Sequence, residues 1–355
     1  MADGTREERA EFFGSLQRVF EQAHAGGGSR WDGQLGEHRF CLRGAGETLL
    51  PRLTPALSHL QVPSGEAQLT VCLWDSESTG VSLPLLAQAF FEAVSANCWS
   101  WLDPRFELRG FNDERFRCVY RLGPTNILSF LDRETSTALY WMQKASDLPY
   151  WEIGSPLQTI LNWWSAENGL QYVHAAGVGS AAGGLLLTGP GGSGKSTTAL
   201  ACLEAGMGYL GDDYCLVSDR EVFSLYSTAK LVGEEDLQRF PGLRGWVENE
   251  ERAEGEKILL NLARHRPQSL LGRAPLKAVV IPRVHGPGPS RLRQVRGAEA
   301  LLALAPTTLF QLAGSQQLGM SRMKQLLGNH PCYVLELGPE IRAVPALLQE
   351  LLDSL

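Results

Sequence analysis

Leu185-Leu186-Leu187-Thr188-Gly189-Pro190-Gly191-Gly192-Ser193-Gly194-Lys195-Ser196 reads as a buried strand running into a glycine loop. Behind it, Thr197-Thr198-Ala199-Leu200-Ala201-Cys202-Leu203-Glu204-Ala205 reads as a helix stopped by Gly206. Strand, loop and helix together match G-x-x-x-x-G-K-[ST] in the context that pattern requires, which sets it apart from an ordinary glycine-rich turn. Glycines let consecutive backbone N–H groups turn inward around phosphate oxygens, and the helix N-terminus adds partial positive charge. Lys195 is then placed to reach the β- and γ-phosphates, and the Ser196 hydroxyl to ligate Mg²⁺. The expected cradle for a nucleoside triphosphate is Gly189, Pro190, Gly191, Gly192, Ser193, Gly194, Lys195, Ser196 and Thr197.

With 355 residues and 44% hydrophobic content, the chain has material for two domains. A net charge of −7 and the lack of a basic run denser than Arg264-His265-Arg266 argue against a nucleic-acid partner. The amino-terminal stretch Met1 to Arg9 is too charged for a secretory signal, and no apolar run is long enough to span a bilayer. Seven scattered cysteines without a C-x-x-C pair speak against a disulfide framework or a zinc site and fit a reducing cytoplasm. Lysine is scarce: Lys144, Lys195, Lys230, Lys257, Lys277 and Lys324 are the whole complement.

Outward from the loop, the pattern divides the chain into a β-rich part, 1–150, and an α/β part, 151–355, with Pro149 and Pro156 bracketing the boundary. In the first part, Phe12, Leu16 and Phe20 recur at helical spacing within Glu7–Ala23, before Gly26-Gly27-Gly28-Ser29 breaks the run. Strands are expected at 69–74, 116–120 and 137–141, with a helix over Leu85–Asn97. Eight of the nine tryptophans precede the loop; for Trp99, Trp101, Trp163 and Trp164 a core role is favoured over a peptide-binding surface. In the second part, a helix over Leu157–Asn168 precedes a strand over Gln171–Ala175. Gly208–Val217, Leu276–Pro282 and Cys332–Leu337 read as further strands, and 298–304, 319–328 and 342–353 as helices. Strands alternating with helices around such a loop give an α/β layered domain.

A phosphate loop is shared by kinases, ATPases and GTPases, so it names a ligand and not a reaction. The discriminating feature is Gly211-Asp212-Asp213, where two carboxylates follow a glycine seventeen residues after Lys195. On an extended segment neighbouring side chains point to opposite sides. One aspartate would then face the metal and the other an acceptor hydroxyl, as transfer to an alcohol needs. His174, fifteen residues before Gly189, would reach the same sheet edge on a parallel neighbour strand. Lys230, Lys257 and Arg283 are further candidates for cations at strand ends.

His174-Ala175-Ala176-Gly177, the loop 189–196 and Gly211-Asp212-Asp213, in this order and spacing, resemble the HPr kinase/phosphorylase family. The resemblance is closest to HPr-kinase-like peptide serine kinases of lasso-peptide-type biosynthetic clusters, and it covers residues 170–218 best. It implies the compact α/β core shared with phosphoenolpyruvate carboxykinases, with ATP and Mg²⁺ as cofactors. It also implies Asp212 as general base, Asp213 beside the metal with Ser196, and His174 beside the transferred phosphate. Self-association is implied in the same way. The family's glycine-rich signature departs here: Pro241-Gly242-Leu243-Arg244-Gly245 follows Phe240 where that family has a glutamate.

The resulting expectation is an ATP- and Mg²⁺-dependent kinase acting on a serine hydroxyl of a peptide or protein, such as a ribosomal precursor peptide. The β-rich part would recognise the acceptor or serve as scaffold. Two other readings share the same motifs: a kinase for a small metabolite such as free serine, and a nucleotide-binding scaffold without transfer.

Overall fold

The computed structural model describes residues 5–309, 313–314 and 316–355. It is a mixed α/β protein whose chain divides into two compact units, Met1–Thr54 with Gln61–Trp164, and Pro55–Leu60 with Ser165–Leu355. The division falls after Trp164 and not after residue 150, and the short stretch Pro55–Leu60 belongs to the second unit.

In the first unit a helix over Arg6–Ala25 is fixed at its start by Thr5. The Thr5 hydroxyl accepts the Glu8 N–H while the Glu8 carboxylate accepts the Thr5 N–H, a reciprocal cap that satisfies two otherwise orphaned donors. Phe12, Leu16 and Phe20 of this helix are buried, as the spacing predicted, and so are Phe13 and Ala23. Six strands follow: β1 (Gly28–Leu35), β2 (His38–Ala45), β3 (Leu69–Asp75), β4 (Phe116–Arg121), β5 (Ile127–Asp132) and β6 (Thr137–Met142). They form one sheet in the order β1-β2-β3-β6-β5-β4, with β3 parallel to both its neighbours and the other pairs antiparallel. Trp74, Trp141, Trp163 and Trp164 are buried, whereas Trp99 is exposed.

The second unit carries β7 (Gln171–Val173), β8 (Ala175–Ser180), β9 (Gly183–Thr188), β10 (Gly208–Gly211), β11 (Cys215–Val217) and β12 (Glu221–Ser224). It continues with β13 (Thr228–Leu231), β14 (Ile258–Asn261), β15 (Arg273–Val284), β16 (Arg291–Val295) and β17 (Cys332–Leu337). The main path runs β10-β8-β9-β15-β12-β11-β7, with β17 on β15 and β16 on β17, while β13 and β14 form a separate ribbon. At its centre β9, β15 and β17 are parallel; β9 is buried along its whole length and β15 over Ala278–Pro282, as strands covered on both faces must be. Helices over Lys195–Glu204 and Val344–Asp353 pack on one apolar cluster with Leu185, Leu187, Val280 and Leu335. A second cluster joins Leu186, Val279 and Val334 to Ala300 and Leu304 of the helix Gly297–Leu309 and to Met323 of the helix Gln316–Asn329. Alternate residues of β9 therefore face opposite layers, the arrangement that holds its carboxyl end, and the glycine loop beyond it, in a fixed position.

No helix among the described residues is long and apolar enough to cross a membrane. All seven cysteines are free, and six of them are buried.

Candidate active site

The site is built where two neighbouring extended runs break at the same level. One run is β7 and β8, interrupted at His174; the other is β10 and β11, interrupted at Asp212-Asp213-Tyr214. Because β10 pairs with β8 and β11 with β7, Gly211 stands opposite Gly177 and Cys215 opposite Val173, and the two breaks face each other. Gly211 is required here: its φ is 153°, and an added Cβ would lie 3.0 Å from both Cys215 Sγ and the Tyr214 carbonyl. The Tyr214 N–H donates to the Asp212 carbonyl at 2.6 Å, closing a tight turn. Asp213 takes a left-handed backbone at φ 63°, a conformation that Asp and Asn tolerate better than most residues.

This differs from the single extended strand expected over Gly208–Val217. The aspartates separate because the backbone turns between them, not because strand alternation divides them. His174 also arrives by another route. β8 and β9 form an antiparallel hairpin in which Ala175 pairs with Thr188, so His174 sits beside the start of the glycine loop without a parallel neighbour. The physical reason is the short turn at Ala181-Ala182, too short for anything but an antiparallel return.

Hydrogen bonding divides the two carboxylates sharply. Asp212 is buried; its Oδ1 accepts from Ser196 Oγ at 2.8 Å and its Oδ2 from the Lys230 backbone N–H at 3.0 Å. Asp213 Oδ2 pairs with Lys230 Nζ at 2.7 Å, and its Oδ1 lies 3.7 Å from His174 Nε2. Ser196 thus bonds to Asp212, the aspartate that the resemblance implied as general base, and not to Asp213, which it implied beside the metal. Burial, reinforced by the adjacent Asp213 charge, pushes the Asp212 carboxyl above its ordinary value. Burial acts the same way on Asp213, but Lys230, His174 and Lys257 outweigh it and hold that carboxyl well below the usual carboxylate range.

His174 is fixed by its neighbours. Its backbone N–H donates to Thr308 Oγ1 at 3.1 Å, and its ring lies 5.4 Å from that of Tyr214, which in turn lies 5.1 Å from Tyr172. The His174 Nδ1 atom is buried with no hydrogen-bond partner.

The glycine loop lies between β9 and the helix Lys195–Glu204. Gly189, Gly192 and Gly194 have φ of 152°, 77° and 101°, open to glycine and strained for other residues. An added Cβ at Gly194 would collide with Leu337 Cδ1, whereas at Gly191 or Gly192 it would meet nothing within 4 Å. The helix Lys195–Glu204 begins at Gly194 without a side-chain cap, leaving its first N–H groups facing the loop, with Ser196 and Thr197 in the first turn. Lys195 is buried; its Nζ donates to the carbonyls of Gly189 at 2.8 Å and Pro190 at 3.2 Å, and burial lowers its pKa.

These features fit a polyphosphate. Ser193 Oγ is buried without a partner, the Gly191–Gly192 edge is open, and an uncapped helix N-terminus and a lysine converge on the loop. The hard oxygen of Ser196, oriented by Asp212, suits a divalent cation such as Mg²⁺, which normally takes only one or two protein ligands beside phosphate and water. No group of three or more His, Cys, Asp or Glu side chains able to hold a metal occurs among the described residues.

Lys230, weighed in the sequence only as one strand-end cation among three, is the hub of the site, since it serves both aspartates. Arg283 pairs instead with Glu299 at 3.1 Å. Tyr214 and Thr308 were not singled out by sequence reasoning; no spacing rule links Thr308 to His174, 134 residues away. Pro241–Trp246 forms a 3₁₀ turn.

The arrangement defines an α/β protein with a helix-bound glycine loop facing a paired-aspartate turn. No family model matches the chain, and no curated protein does. Among solved structures it is similar to the Hpr(Ser) kinase/phosphatase from Coxiella burnetii, at 12% identity over 52% of this chain and 95% of that chain, with a TM-score of 0.29.

Proposed function

We propose that this protein is an ATP- and Mg²⁺-dependent kinase that transfers the γ-phosphoryl group to a serine hydroxyl of a peptide or protein. The observation that carries this reading is the convergence, at one edge of one sheet, of the glycine loop with two aspartates bonded to different partners.

In this reading the loop N–H groups, the helix N-terminus and Lys195 hold the triphosphate. The Ser196 hydroxyl would hold Mg²⁺, which would supply positive charge against the phosphates. The division of labour between the aspartates is the reverse of that implied by the family resemblance. Asp212 has both oxygens engaged and stands behind the Ser196 hydroxyl, so it orients the metal-side ligand. Asp213, more open and beside His174, orients the acceptor hydroxyl. The acceptor oxygen–phosphorus bond forms as the bond from phosphorus to the β–γ bridging oxygen breaks, and ADP leaves with that electron pair. The acceptor proton passes to Asp213. A carboxylate held so acidic by Lys230 is a weak base, which suits a loose transition state where positioning outweighs proton abstraction.

The first unit is assigned acceptor recognition, and a ribosomal precursor peptide is the acceptor this reading favours. A cytoplasmic setting is assigned from the free cysteines. Incubation of the full chain with γ-labelled ATP, Mg²⁺ and serine-containing peptides, read by intact mass, tests the proposal. Phosphorylated peptide is the expected product. Nucleotide binding with no transferred phosphate to any peptide or to free serine would sink it.

A further inference from the structure

Three of the chain's six lysines lie on the glycine loop or at the β13–β14 ribbon that carries the Asp213 partner: Lys195, Lys230 and Lys257. Two of these have assigned partners. Lys195 is folded onto loop carbonyls and Lys230 is paired with Asp213. The half-buried Lys257 ammonium makes no hydrogen bond or ion pair among the described residues.

Its placement is not accidental. In the β13–β14 ribbon Lys230 pairs directly with Leu259 and Leu231 with Ile258, and Lys257 immediately precedes Ile258, so it enters the ribbon beside the strand that carries Lys230. Its backbone is held by a side-chain clamp: Asn249 Nδ2 donates to the Lys257 carbonyl at 2.9 Å, and Asn249 Oδ1 accepts the Leu259 N–H at 2.8 Å. Five glutamates precede it in residues 248–256, yet none neutralises it. Glu248 is taken by Arg264 and Glu256 by the Ala253 N–H. A half-buried cation left unpaired beside an acidic segment, and backed by a second lysine, is arranged for an anion that the protein itself does not supply.

We propose that Lys257 contacts the terminal phosphate of the bound triphosphate, while Lys230 remains on Asp213 as a positioning residue. This deepens the kinase reading and rests on it. Lys257 thereby makes the site prefer a nucleoside triphosphate over the diphosphate, which favours product release after transfer.

The test is displacement of a fluorescent ADP analogue from the full chain by ATP and by ADP, in the presence of Mg²⁺. In K257M, ADP affinity should stay within about twofold of the unmodified chain while ATP affinity falls about tenfold, the worth of one charge-assisted hydrogen bond. K257R should recover most of the preference. K257Q, with its thermal midpoint compared to that of the unmodified chain, guards against a folding defect in K257M. An ATP-to-ADP ratio unchanged in both K257M and K257Q overturns the proposal, as does an equal loss for both nucleotides. If the unmodified chain binds neither nucleotide, the phosphate-loop reading itself falls, and the assignment of Lys257 falls with it.

Discussion

Ser196 and Asp212, sixteen residues apart in sequence, are joined by a 2.8 Å hydrogen bond that links the glycine loop to the aspartate turn. A hydroxyl that donates its proton to a buried carboxylate keeps its lone pairs free for a cation. The pair therefore prepares one oxygen ligand while fixing its direction.

Asp212→Asn should keep the fold but weaken this preparation. Metal-dependent phosphoryl transfer should fall by about 10–100-fold. The Mg²⁺ midpoint should rise, while metal-free binding of ADP stays close to that of the unmodified chain. An unchanged Mg²⁺ titration would show that Asp212 has no part on the metal side.

Asp213→Asn removes the charge that Lys230 relies on. Taking the carboxylate partner away from this buried ammonium should cost roughly 3–5 kcal/mol of stability. The double variant Asp213→Asn/Lys230→Met should recover part of that loss while remaining inactive in transfer. Urea midpoints of the two single variants and the double variant measure the coupling; simple additivity would mean the ion pair contributes nothing.

Two glycine substitutions separate folding from ligand binding. Gly194→Ala places a Cβ against Leu337 at a φ of 101°, and should destabilise the chain by roughly 1–3 kcal/mol. Gly191→Ala meets nothing within 4 Å, so thermal stability should hold while nucleotide affinity drops, because its Cβ intrudes on the open edge of the loop. Equal nucleotide affinity in Gly191→Ala and the unmodified chain would place the phosphates elsewhere.

Acid should weaken the fold through His59. Its Nε2 is bonded to the buried Ser224 hydroxyl at 2.8 Å, and burial pushes its pKa down from 6.5 to about 4. The unfolded chain then takes up a proton that the folded chain refuses between these values. Stability is complete above pH 6.5 and declines as pH falls toward 4, by up to about 3 kcal/mol. A His59→Gln variant should show a flatter urea midpoint over that interval; an identical slope in both chains would remove His59 as the cause.

The strand, loop and helix at 185–205 could be read directly from the sequence. Each depends on local rules: an apolar run, glycines at positive φ, and a helix that needs no distant partner to begin. The apolar strands Leu276–Pro282 and Cys332–Leu337 could be read the same way, and the structure extends the first to Arg273–Val284. The aspartate turn was harder. Tyr209-Leu210 and Tyr214-Cys215-Leu216 carry strand-forming residues on both sides of Asp212-Asp213, so local preference favoured one continuous strand. The break depends on Gly177 across the sheet and on Lys230, whose N–H and ammonium each claim one carboxylate.

The sequence alone established that this chain has a glycine loop at a strand–helix junction and a pair of acids close behind it, because both are set by neighbours within a few residues. The tertiary structure decided which acid meets which partner. That choice depends on residues brought in from the break between β7 and β8, from β13 and from the helix Gly297–Leu309: His174, Lys230 and Thr308. Their distance along the chain carries no local signal. Only the antiparallel return of β8 onto β9 and the opposing breaks in two paired runs bring them within hydrogen-bonding reach.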